Sequence, residues 1–96
     1  QRAADLATNN WQTRRNLALA LLEAGRPAES VVEIRRAIAL HADDSVSHTL
    51  LGQGLARVGE MDAAAAAFER ALQIDPNDAD ARGFLTQLRG LGSSAR

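Results

Sequence analysis

Along most of this chain, apolar residues recur at spacings of three and four. Leu17, Leu21 and Ala24 mark one such stripe. That spacing puts side chains on one face of an α-helix and predicts an amphipathic helix opening near Trp11. The segment Ser45 to Gly59 (SVSHTLLGQGLARVG) repeats the pattern of Trp11 to Gly25 (WQTRRNLALALLEAG), with Leu51 and Leu55 in place of Leu17 and Leu21. Gly25 and Gly59 follow these helices and supply the permissive backbone of a tight turn. Pro27 then stands where a helix begins and its missing N–H costs nothing. Second helices are expected from Pro27 to Leu40 and from about Asp62 to Ile74. Asn10, Asp44 and Asp78 stand before first helices, where a side-chain oxygen would accept free amide protons. Strict apolar–polar alternation is absent, so no strand competes and the fold class is all-α.

The chain also matches itself. QRAADLATNN from Gln1, RRAIALHADD from Arg35 and ERALQIDPND from Glu69 begin 34 residues apart, twice in succession. Each has Arg-Ala at its second and third places, an aliphatic residue at its sixth (Leu6, Leu40, Ile74) and Asn or Asp at its tenth. Internal repetition at this period predicts stacked supersecondary units sharing one continuous core. The units are expected at 11–44 and 45–78. Residues 1–10 would be the tail of a preceding second helix, 79–92 a capping or truncated helix, and 93–96 a tail. The chain is therefore expected to be a piece of a longer array.

Composition narrows the chemistry. With a formal charge of −1 and interspersed signs, the clustered basic surplus of a nucleic-acid binder is missing. There is no cysteine, so neither disulfides nor thiolate chemistry can operate. All 11 basic residues are arginine, and lysine and tyrosine are absent, which removes Schiff-base and phosphate-loop lysines and tyrosine acid–base chemistry. The alanine–arginine bias is that of a GC-rich, bacterial type of coding sequence. No apolar run reaches the roughly 20 residues of a membrane span, so direct membrane insertion is not expected. The cellular compartment is left open.

The period and its residues resemble the tetratricopeptide repeat family, whose 34-residue helical pairs follow W-x₂-L-G-x₂-Y…A-x₃-F…P. The second unit carries His48, Leu51-Gly52, Leu55, Ala64, Phe68, Ala71 and Pro76 at the matching places. It departs at His48 and Leu55, which replace aromatic residues. The first unit is more divergent, with Arg14, Leu17-Ala18, Leu21, Ser30, Ile34, Ala37 and Ala42. The resemblance implies a right-handed α-solenoid of helix–turn–helix hairpins with about five helices. It also implies a concave groove lined by the first helix of each pair, which holds a peptide or helical segment of another protein.

Carried over in this register, the groove residues are Gln12, Arg15, Asn16, Leu19, Leu22 and Glu23 from the first unit. Val46, Thr49, Leu50, Gln53, Ala56 and Arg57 come from the second, and Asp80, Gly83, Phe84 and Gln87 from the last helix. Some chaperone-associated members grip a C-terminal carboxylate with a basic and asparagine clamp. Arg15 matches one clamp place, but Leu19, Leu50, Asp80 and Phe84 occupy others, so the clamp is not intact. Asn16 is placed to bond a peptide backbone, yet its equivalent is Leu50, and no asparagine ladder is expected. Such a groove suits an apolar or amphipathic segment.

Other clusters carry less. His41, Asp43, Asp44 and His48 are zinc-compatible residue types, but a helix C-terminus, an N-cap and a packing position account for His41, Asp44 and His48. Trp11 is expected to pack against Leu6. Arg35-Arg36 reads as a solvated face beside Glu29 and Glu33. No nucleophile–base set, glycine-rich phosphate loop or paired-carboxylate cleft emerges. Protein binding without catalysis, cofactor or metal is thus the expected function. The alternatives are a self-association element, forming a homo-oligomer, and a non-catalytic arm of a larger enzyme or secretion component.

Overall fold

The computed structural model describes residues 10–94. Five helices follow in chain order among them: α1 Trp11–Glu23, α2 Pro27–Leu40, α3 Ser45–Arg57, α4 Met61–Ile74 and α5 Ala79–Ser94. No strand occurs among the described residues. α1 pairs with α2 and α3 with α4 as hairpins, α2 stacks on α3, and α4 on α5. The first helices α1, α3 and α5 also touch one another in sequence along one side. The expectations for Gln1 to Asn9, including a Leu6–Trp11 contact, lie outside the described residues.

The turn chemistry follows the sequence. Gly25 and Gly59 have φ of 80° and 90°, the left-handed region that a side chain disfavours. At the first turn, the Arg26 amide donates to the Leu21 carbonyl at 2.9 Å and the Gly25 amide to Leu22 at 3.1 Å. The Glu60 and Gly59 amides repeat both bonds one unit later, to Leu55 and Ala56. Paired bonds of this kind satisfy carbonyls that a helix end leaves open. Asn10 Oδ1 accepts from the Gln12 amide at 2.8 Å, Asp44 Oδ2 from Ser47 at 3.2 Å and Asp78 Oδ1 from Ala81 at 3.0 Å. All three caps are formed.

Each hairpin has its own buried core. Ala18, Leu22, Ile34 and Ala37 form the first, closed by Leu50 from the next hairpin. Leu55, Ala64, Ala67, Phe68 and Ala71 form the second, closed by Ala81 and Leu85 of α5. Leu51 packs against both. In α1 the innermost face is therefore Ala18 and Leu22. Leu17, which the periodicity assigned to the buried stripe, is 45 % exposed, Leu21 is half-buried and Ala24 is exposed. Leu17 occupies the place where Leu51 meets the preceding hairpin, and the segment ahead of it lies outside the described residues. At the other end Ala79 is exposed while Ala81 and Leu85 are buried. α5 also runs to Ser94, past the boundary at 92 expected for it.

Small residues set the close approaches. A Cβ on Gly52 would stand 2.5 Å from the Phe68 ring, so α3 and α4 can meet at this distance because Gly52 has none. One repeat earlier the pair is Ala18 and Ile34, both fully buried. A larger residue on one helix thus accompanies a smaller one on the other. Between hairpins, a Cβ on Gly54 would lie 2.8 Å from Cγ2 of Val31, which marks where α3 crosses α2. Buried Ser30 donates to the Ala18 carbonyl at 2.7 Å, so its hydroxyl is satisfied inside the first hairpin.

Candidate binding groove

The first helices do line a cleft. Arg15, Asn16 and Leu19 of α1, Val46, Thr49, Leu50 and Gln53 of α3, and Asp78 and Asp80 at the start of α5 surround about 360 Å³. A second cleft of about 230 Å³ adjoins it through Gln53 and is lined by Ala56, Arg57, Met61, Phe68, Phe84, Gln87 and Leu88. Leu19 and Val46 are 41 % and 48 % exposed, so the aliphatic wall is open to a ligand. Phe84 stacks on Phe68, ring centroids 5.5 Å apart, and forms the aromatic floor of the second cleft.

Eight of the residues expected in the groove come together in the larger cleft, and Ala56, Arg57, Phe84 and Gln87 line the smaller one. Gln12 and Glu23 are exposed but line neither. Leu22 is a correction: it is 3 % exposed and packs with Ile34 inside the hairpin, because α1 is rotated so that Ala18 and Leu22 point inward. Leu50 and Thr49 are also nearly buried, and each presents an edge to the cleft. Asp78, whose place before α5 marks it as an N-cap, is a wall residue as well, and its second carboxylate oxygen is the reason.

That oxygen takes part in a bond that repeats with the chain's period. Thr49 Oγ1 donates to Asp78 Oδ2 at 3.1 Å, and one unit earlier Arg15 Nη1 donates to Asp44 Oδ2 at 2.9 Å. In both, a first helix reaches the cap of the next first helix and ties the groove wall across hairpins. Arg15 also lies over Trp11, 5.2 Å from the ring centroid, a favourable cation–π placement. Burial pushes the Asp44 carboxyl up in pKa. The hydrogen bonds from Ser47 and Arg15, Arg15's charge and the Ser47 amide together outweigh that, leaving it below the ordinary carboxylate value. Arg57 of the second cleft donates to the Leu22 carbonyl at 3.1 Å, so it also serves the C-terminal end of α1.

The histidines have structural partners. His41 stacks on Trp11, centroids 4.4 Å apart and planes 12° from parallel. His48 Nε2 donates to the Ala42 carbonyl at 2.9 Å, closing the turn six residues behind it. Arg82, one repeat later, donates to the Pro76 carbonyl in the same way. Among the described residues, no group of three or more His, Asp or Glu is arranged to hold a metal.

Residues 46–88, which span α3, α4 and most of α5, match the family model of the tetratricopeptide repeat. The chain carries a tetratricopeptide repeat. A comparison with curated proteins gives no match. Tetratricopeptide repeats generally mediate protein–protein interaction, and the family is typically a non-catalytic scaffold. No described helix is long and apolar enough to cross a membrane.

Proposed function

We propose that the chain is a non-catalytic interaction module that holds an apolar or amphipathic segment of another protein in the cleft between α1, α3 and α5. The observation that carries this reading is the exposed aliphatic wall of Leu19 and Val46, set in a concavity whose other residues, apart from the nearly buried Leu50, are polar. A concave surface with a few convergent polar groups is the usual form of a recognition site, and two adjoining clefts offer anchors along one segment. Walls tied by the Arg15–Asp44 and Thr49–Asp78 bonds are already ordered, which lowers the entropic cost of binding.

The test is a variant carrying Leu19→Glu and Val46→Glu, since both side chains are exposed and their change leaves the core intact. Leu50 is unsuitable because its burial would make the same change a test of folding. Proteins retained from a cell extract by the wild type are expected to be lost by the variant, while its circular dichroism and melting stay unchanged. An identical set of retained proteins would overturn the groove assignment.

A further inference from the structure

The groove is electrically lopsided. Asp78 and Asp80 stand on its wall where α5 begins. Asp78 accepts hydrogen bonds from the Thr49 hydroxyl and the Ala81 amide, both neutral groups. Among the described residues neither Asp78 nor Asp80 forms an ion pair, and neither do Asp43 and Asp75 on the turns at the same end. The wall's cation, Arg15, already pairs with Asp44 at 2.9 Å and lies over Trp11. The amino end of α5 offsets roughly half a unit charge, against two carboxylates, so the negative charge wins.

A ligand that covered Leu19 and Val46 with apolar atoms alone would strip water from these carboxylates without replacing it, and desolvating an unpaired charge is costly. An acidic segment, or a C-terminal carboxylate, would add like-charge repulsion. We infer that the groove's occupant is a segment of a partner protein that sets an arginine or lysine beside an aliphatic residue. The aliphatic side chain lies on Leu19 and Val46, and the cation reaches Asp78 and Asp80. This rests on the groove being the binding face, and it adds the sign of charge the partner must carry.

A random 16-residue peptide library displayed on phage and selected on the chain tests both statements separately. Peptides that lose binding to the Leu19→Glu, Val46→Glu variant are expected to be enriched in arginine or lysine next to aliphatic residues. The variant Asp78→Asn, Asp80→Asn keeps a capping side chain at Asp78. It should bind those peptides roughly twofold to thirtyfold more weakly, the range for two exposed ion pairs, and the deficit should shrink in high salt. Groove-dependent peptides that are neutral or acidic, or indifferent to the two asparagines, would overturn the charge inference and leave the groove standing. Peptides indifferent to the glutamate variant, or none recovered, would overturn both. Light scattering covers the remaining occupant: self-association abolished by Leu19→Glu, Val46→Glu would make a second copy the ligand and overturn the choice of a partner protein.

Discussion

Two residue pairs, 34 positions apart, explain how one scaffold tolerates two cores. Gly52 faces Phe68, and Ala18 shares its core with Ile34. Gly52→Ala would drive a methyl group into the ring, and overpacking of this kind costs about 1–3 kcal/mol. Combining it with Phe68→Ile should recover part of that loss, because the double variant reproduces the Ala18–Ile34 pairing. Urea denaturation of the four proteins in the cycle checks this, and additive losses would mean that the two sites do not compensate. Asp44 gives a second prediction at this scale. Its pKa is held below the ordinary value, so its contribution to stability is full above about pH 3.9 and is lost as pH falls through the depressed folded-state value. The stability gap between the wild type and Arg15→Gln should therefore be largest near pH 6 and shrink in acid. The stacking of Arg15 on Trp11 is also lost in this variant and should leave a remainder in acid; a gap constant with pH would assign the whole contact to packing.

At the scale of elements, most of what stands was legible. Caps and glycine turns are local chemistry, and Asn10, Asp44, Asp78, Gly25 and Gly59 do what their residue types dictate. The rotation of α1 was not, because Leu17, Ala18, Leu21 and Leu22 are all apolar, and spacing cannot choose among adjacent faces of such a helix. Leu22 stands in the groove only by the register carried over from the tetratricopeptide resemblance, which does not fix this rotation. α5 passes the glycines at 90 and 92 because Gly lowers helix propensity by about 1 kcal/mol without forbidding a helix. The doubled role of Asp78 depends on tertiary contact with Thr49, which no local pattern encodes. Asp78→Ala should cost about 0.5–2 kcal/mol by removing the cap, with the Thr49 bond lost as well. Asp78→Asn should be close to neutral. Thermal melts of the pair separate the capping role from the charge, and equal losses would show that charge is what stabilises α5.

For the whole molecule, the decisive contact is the one between hairpins. Repeat arrays are stabilised by the hairpins themselves and by the interfaces between neighbours, and here α2 meets α3 across Gly54 and Val31. Even a Cβ at Gly54 would stand 2.8 Å from Val31 and 3.5 Å from the Pro27 carbonyl. The larger side chain of Gly54→Leu has no room unless the hairpins part. Leu50, which closes the first hairpin's core from α3, would be drawn away with them, so the damage should be cooperativity more than helix content. Gly54→Leu should keep most of its helical circular dichroism in water. It should unfold over a broader range of urea, with a shallower dependence that marks the loss of two-state behaviour. The same parting would separate Leu19 on α1 from Val46 on α3, so ligand binding should weaken before the helices melt. A single transition as steep as that of the wild type would mean that the hairpins are coupled elsewhere, and that the cleft between α1 and α3 does not depend on the Gly54 crossing.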